Sequence, residues 1–299
     1  MRLDMKENTV QSLRIISLTF LALIAFAANS VFCRLAMASS EPMDAFSFTA
    51  VRLASGAFFL ACLVFVRDKS FSLSNFSLER HSVLPAVSLF IYALSFSFAY
   101  LSLSTAAGAL ILFAVVQFTL VIATLLKHKA LLLNEWGGFV VALLGFFYLL
   151  LPDVDAPNVF GSVLMTISGV AWGIYTLAGR TSKDPIVDTS NNFLIALPLL
   201  VIFYMVPSSE LDLYNPNVMY AALSGILASG AGYAIWYSVV PLITKIQASV
   251  AQLLVPIFAA LGGFWFLHEP LNNRLLVAAI LIISGIMLTL FKRVSTRAS

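Results

Sequence analysis

"AWGIYTLAGR", Ala171 to Arg180, places a Trp, a Tyr and two glycines in an apolar run that ends at an Arg. "AFAANSVFCR", Ala25 to Arg34, sets aromatic, polar and Arg residues at the same spacings 146 positions upstream. A second correspondence lies further along. "VVQFTLVIATLLKHKALLLNEWGGFVVALLGFFYLLL", residues 115 to 151, aligns without a gap at a shift of 140 on "VPIFAALGGFWFLHEPLNNRLLVAAILIISGIMLTLF", residues 255 to 291. Val115 meets Val255, Phe118 meets Phe258, His128 meets His268, Leu131 meets Leu271 and Gly145 meets Gly285. Apolar matches between apolar segments carry little weight, whereas coincident His and Gly in one ungapped register indicate a segment written twice. Part of the net surplus in the first copy fits the polar stretch "RDKSFSLSNFSLERHS", Arg67 to Ser82.

The repeats sit in a membrane-protein composition. The 299 residues are 61% hydrophobic and 10% charged, with a mean hydropathy of +0.97; soluble domains run near roughly 45 to 50% apolar and about 25% charged. A bilayer core takes about 20 apolar residues per helix. Ten spans are predicted, near 13–38, 44–66, 83–102, 105–126, 134–151, 159–179, 189–206, 218–239, 248–267 and 274–291. Residues 83–126 carry no acidic or basic side chain and are about two spans long, so "SLSTAAG", Ser102 to Gly108, is read as their hairpin. Pro241 and Lys245 in "VVPLITKIQ" divide the eighth span from the ninth. The first run follows Arg2, Lys6 and Arg14 but exceeds the roughly 7 to 15 residues of a signal-peptide core, so it is expected to be retained. Cys33 and Cys62 fall within spans and read as small buried hydrophobes.

Lys and Arg set the orientation. With the N-terminus inside, Arg2, Lys6, Arg14, Arg67, Lys69, Arg80, Lys127, Lys129, Arg180, Lys183, Lys245, Lys292, Arg293 and Arg297 face the cytoplasm, against Arg274 alone outside. The expectation is a multi-pass protein of the bacterial-type inner (cytoplasmic) membrane with both termini cytoplasmic. The sequon at Asn75 then lies inside, where it is not glycosylated. Each copy of the repeat holds five spans. Five is odd, so the second copy enters the membrane from the opposite side, the arrangement secondary transporters use to expose one central site alternately.

Phe26, Asn29 and Arg34, repeated as Trp172, Tyr175 and Arg180, resemble the first helices of the two EamA-type repeats in the drug/metabolite transporter superfamily. "AQLLVPIFAALGGFWFLHEPL", Ala251 to Leu271, is similar to that family's ninth helix with its Pro and terminal Glu-Pro. The resemblance implies an all-α membrane protein of ten transmembrane helices, two inverted five-helix repeats (13–151 and 159–291) around a central cavity, often used for metabolite export. Three features depart from the pattern. Val116 stands opposite Pro256, Ala27 and Ala28 occupy the usual small Gly position, and Lys129 faces Glu269.

Candidate site residues follow from polarity inside the bilayer, which is costly unless used. Arg52 lies roughly 12 Å into the second span, either attracting an anionic or zwitterionic substrate or pinning neighbouring carbonyls. Asn29 is mid-span, bonded to a helix or facing the cavity. Trp172 and Tyr175 share a helix face and suit a flat ligand, although "GVAWG" also reads as a helix-contact motif. Tyr233 is deep enough for the cavity, whereas Trp236 and Tyr237 are expected in the interfacial aromatic belt. Gln252 is preferred over Gln117 because Pro256 follows it by one turn and breaks or bends the helix. Arg34 and Arg180 read as interfacial anchors.

No Asp or Glu is predicted deep in a span, which makes facilitated diffusion or exchange as credible as proton antiport. His81, His128 and His268 lack ligand spacing, and no phosphate-binding glycine loop occurs. Neither metal, cofactor nor nucleic acid is expected. The predicted function is a secondary transporter that exports a small metabolite, an amino acid or related compound, with a lipid bilayer and that solute as its partners. The alternatives are a flippase for a lipid-linked intermediate and an intramembrane enzyme, the latter lacking a base to activate its hydroxyls.

Overall fold

Side chains at the residue just before several helix starts explain where those helices begin. Asp44 Oδ1 accepts from the Ser47 amide at 2.8 Å, Asn158 Oδ1 from Gly161 at 3.0 Å, Asp184 Oδ1 from Val187 at 3.3 Å and Asn272 Oδ1 from Leu275 at 2.8 Å. Each satisfies an amide that the helix itself leaves unpaired. Between such punctuation the apolar runs form helices, because only a helix satisfies its own backbone in hydrocarbon.

The computed structural model describes residues 2–68, 80–126, 133–152, 156–179, 182–205, 211–243, 248 and 251–290. Arg180, Lys245, His128, Lys129 and Asn75 lie outside them. Among the described residues the chain forms α1 (Arg2–Met37), α2 (Ala45–Asp68), α3 (Arg80–Ala99), α4 (Thr105–Leu126), α5 (Leu133–Leu150), α6 (Val159–Gly179) and α7 (Pro185–Tyr204). α8 (Val218–Leu242) is one composite rod, and α9 (Leu254–Leu267) and α10 (Asn273–Leu290) complete the ten helices. Six of these, α1, α2, α4, α6, α7 and α8, are long and apolar enough to cross a bilayer; the apolar stretches Val83–Ala99, Trp136–Leu150, Leu254–Leu267 and Asn273–Thr289 are shorter. Large apolar side chains including Phe58, Phe160, Val201 and Ile280 are exposed on the outside, where lipid tails are as apolar as they are. The protein is therefore a multi-helix membrane protein.

The packing fixes helix directions. Asn29 and Arg34 of α1 bond Tyr92 and the Tyr100 carbonyl, so α1 runs with α3. Along α6, by contrast, Gly161 approaches Ser102 and Ala99 while Ser168 donates to the Tyr92 carbonyl at 3.0 Å. α6 therefore runs against α3, and against α1. α1 also packs on α8 and α9, α6 on α3 and α4, α2 on α7 and α8, α3 on α7, α4 on α9 and α5 on α10.

Arg274, the one basic residue expected outside, is consumed structurally. Its guanidinium donates to the carbonyls of Tyr148, Leu149 and Leu151 at the end of α5 and lies over the Tyr148 ring, a cation placed at the negative end of a helix. Cys33 is buried, and Cys62 is exposed rather than buried as expected, since its side of α2 faces outward.

Candidate functional site

Eight residues in the middle of α8, Ser224–Ala231, are wound as a π-helix, a geometry frequent at functional sites because it re-aims side chains. "SGILASGA" is rich in small residues, and α2 comes close at this point: a Cβ on Gly56 would lie 3.2 Å from the Gly225 carbonyl oxygen. The wide turn delivers two serines to the interior. Ser224 Oγ donates to Asn29 Oδ1 at 2.5 Å, and Ser229 Oγ accepts from Arg52 Nε at 3.3 Å.

Tyr92 of α3 joins these into one network. Its phenolic oxygen accepts from Asn29 Nδ2 at 3.1 Å and from Arg52 Nη2 at 3.1 Å. Arg52 is 1% exposed, with its guanidinium carbon 5.0 Å from the Tyr92 ring centre and 5.1 Å from that of Phe96. Two hydroxyls and two aromatic faces thus offset the cost of a cation inside the bundle. Among the described residues no carboxylate pairs with Arg52, and its Nη1 has no hydrogen-bond partner.

The network backs onto a cavity of ≈ 540 Å³. Asn29, Tyr92, Trp172, Tyr175, Tyr233 and Gln252 all line it. Trp172 stacks on Tyr175 at 5.0 Å and on Tyr233 at 5.4 Å, and its ring lies 4.7 Å from that of Tyr92, giving a continuous aromatic wall. Of the six residues predicted for the site, five line the cavity. Arg52 stands one side chain behind the wall, bonded to Tyr92 and Ser229, which do line it.

Two expectations are corrected. Trp236 and Tyr237 line the cavity instead of an interfacial belt: Trp236 packs edge-on against Phe26 at 5.8 Å and is buried. Gln117 lines the cavity together with Gln252, so the two are not alternatives. Pro256 occupies the first turn of α9, and the carbonyl its missing N–H leaves unpaired, four residues back, is that of Gln252. The helix is interrupted at Leu253, between helical Gln252 and Leu254, as expected for a break beside Gln252. Tyr92, Phe96 and Ser229 were not anticipated. A lone Tyr in "LFIYALSFSF" looks like any aromatic in an apolar run, and only the convergence of Asn29 of α1 and Arg52 of α2 on its hydroxyl marks it.

The cavity reaches one end of the bundle. Gly179, Ser182 and Pro185, where α6 passes to α7, and Val240, Pro241 and Ile243, at the end of α8, line it there. At the opposite end Arg34 Nε donates to Glu269 Oε1 at 3.0 Å and Arg34 Nη1 to the Tyr100 carbonyl at 3.0 Å. Glu269 Oε2 accepts from the Thr105 amide at 2.7 Å, capping α4. Arg34 is thus a cross-link between helix ends and not only an anchor. At the cavity's mouth end, outside the spans, the Arg67 guanidinium holds the Asp184 carboxyl below the usual carboxylate range.

Residues 159–291 match the EamA-like transporter family. The chain is 44% identical over 285 residues to the uncharacterized protein PA1977 of Pseudomonas aeruginosa, an alignment covering 95% of this chain and 97% of that one. It is 23% identical to the uncharacterized transporter YoaV of Bacillus subtilis, over 82% of this chain and 86% of the relative. A solved crystal structure superposes with a TM-score of 0.67 at 16% identity, covering 94% of this chain and 99% of the other, and it shares the fold.

Proposed function

We propose that this chain, which belongs to the EamA-like transporter family, is a secondary transporter that carries a small organic solute, an amino acid or related metabolite, through a cavity between two inverted five-helix repeats. The observation that carries the reading is that cavity: α1, α3 and α4 of the first half and α6 to α8 with Gln252 of the second each contribute wall. An aromatic-lined chamber with amide and hydroxyl groups in its wall suits solute passage.

Several contacts support the repeat spanning 13–151 and 159–291. Asp44 and Asp184 cap α2 and α7 through amides three residues on, in the register set by a shift of 140. In the same register Gly145 pairs with Gly285 and Gly138 with Ala278. A Cβ on Gly145 would lie 3.2 Å from the Ala278 carbonyl oxygen, and one on Gly285 would lie 2.6 Å from that of Gly138, so the two contacts exchange under the shift. The helix pairs behave likewise: α1 on α8 answers α6 on α3, and α1 on α9 answers α6 on α4.

Two repeats of opposite orientation give a bundle with two equivalent arrangements, one opening each end. The cavity's mouth lies where the positive-inside reading puts the cytoplasm, which suits loading from inside and hence export. A second reading, passage of a lipid-linked intermediate, has in its favour an apolar groove of ≈ 550 Å³ between α2 and α7; the groove shares no lining residue with the polar cavity, which favours the soluble solute. Purified protein in liposomes should perform ATP-independent counterflow, and Asn29→Ala and Tyr175→Ala should each reduce it while the proteins remain monodisperse. Full flux in both variants would remove the cavity from the transport path.

A further inference from the structure

Arg52 leaves two hydroxyl protons facing the cavity without acceptors. A guanidinium can only donate. The Tyr92 oxygen, which receives bonds from Arg52 Nη2 and Asn29 Nδ2, and the Ser229 oxygen, which receives one from Arg52 Nε, therefore act as acceptors toward the protein. Neither hydroxyl proton finds an acceptor among the described residues, and both residues line the cavity. Two free O–H donors stand side by side on the wall with a buried cation directly behind them.

The electrostatics give this pair a sign. Among the described residues that line the cavity none is Asp, Glu, Lys or Arg, and Arg52 sets one formal positive charge directly behind Tyr92 and Ser229. A buried guanidinium without a carboxylate is under-compensated, and an anion arriving in front of Tyr92 and Ser229 offsets it. A carboxylate presents two oxygens, matching two donors, and hydrogen bonds to an ionised group are about twice as strong as neutral ones. The aromatic wall begins at the same point, since the Tyr92 ring lies 4.7 Å from Trp172, which stacks on Tyr175 and Tyr233.

We infer that Tyr92 and Ser229, polarised by Arg52, form the head-group subsite for the carboxylate of a small anionic solute whose flat, apolar body lies along Trp172, Tyr175 and Tyr233. The inference rests on the transporter reading and narrows its substrate class: the charge recognised is the anion, and an ammonium group is not required.

One scaffold in three charge states tests it. Equilibrium binding of indole-3-acetate, indole-3-acetamide and tryptamine to the detergent-purified full chain is expected to rank acid over amide by about tenfold, with the amine weakest. Arg52→Gln should abolish the preference of acid over amide. Tyr92→Phe, which keeps the ring, should lower acid affinity toward that of the amide. Equal affinity for the three, preference for the amine, no binding of any, or an unchanged ranking in Tyr92→Phe would overturn the subsite. Counterflow of the same compounds separates the two readings. Movement of amide or amine without preference for the acid defeats the subsite and leaves transport standing, whereas tight acid binding with no counterflow of any compound defeats transport and leaves the subsite.

Discussion

The Arg34 guanidinium and the Glu269 carboxylate meet at 3.0 Å across 235 residues of chain, and the same carboxylate caps α4 at Thr105. One acidic side chain from the second half therefore holds the ends of two first-half helices together. It does so at the end of the bundle opposite the cavity's mouth. The backbone is shaped for this: His268, which ends α9, has a φ of 54°, and the Glu269 amide folds back onto the Gly263 carbonyl at 3.1 Å.

Glu269→Gln keeps the shape of the clasp and removes its charge, so the closed end should open more often. In a variant with Cys33 and Cys62 replaced, a cysteine at the buried Ala106, in the first turn of α4, reports this opening. Its labelling by a membrane-impermeant maleimide is expected to quicken about tenfold on Glu269→Gln, the scale of one charge-assisted hydrogen bond. An unchanged rate would mean that the pair is not a gate.

The α5 and α10 contact is backbone on backbone at its crossing, with Gly145 and Gly285 each facing the other helix. Gly285→Leu should cost at least the roughly 1 to 3 kcal/mol of an overpacked core, read as loss of monodispersity and a fall in Tm. Gly137 faces open space within 4 Å of where a Cβ would sit. Gly137→Ala should leave Tm unchanged or raise it slightly through helix propensity. Equal effects of the two changes would contradict the packing.

Asp184 carries a carboxyl whose pKa is lowered, first by the Arg67 hydrogen bond. A depressed carboxylate pKa stabilises the folded state above the unfolded value of about 4 and loses that contribution as pH falls through the folded value. Asp184→Asn retains a good helix cap and deletes only the charge. The Tm difference between the parent and Asp184→Asn should be small, because the pair is exposed. It should be present at neutral pH and vanish below the lowered pKa. A difference that grew toward acid would contradict the ion pair.

How far the sequence discloses the molecule depends on whether the signal is local. The ten helices follow from apolar length and polar breaks, and the opening pair of phrases singled out Asn29, Trp172 and Tyr175 because repetition distinguishes them from neighbours of the same hydropathy. Tyr92 has no such marker, since its importance comes from α1 and α2 converging on its hydroxyl. Glu269 carries no local sign of its clasp, because its partner is 235 residues away. Trp236 and Tyr237 were misread because depth in a span was judged from its ends, while the face each residue presents depends on α1 and on the π-helical turns that precede them.

The inverted arrangement is the premise on which the proposed alternation between the two ends depends, and sidedness measures it directly. Single cysteines at Ser40, after α1, at Ala156, before α6, and at Ser182, after α6, are labelled by an impermeant maleimide in intact cells and in inside-out vesicles. The account predicts labelling of Ser40→Cys and Ala156→Cys from outside and of Ser182→Cys only from the cytoplasmic face. Ser40→Cys and Ala156→Cys on opposite faces, or Ser40→Cys and Ser182→Cys on the same one, would contradict it.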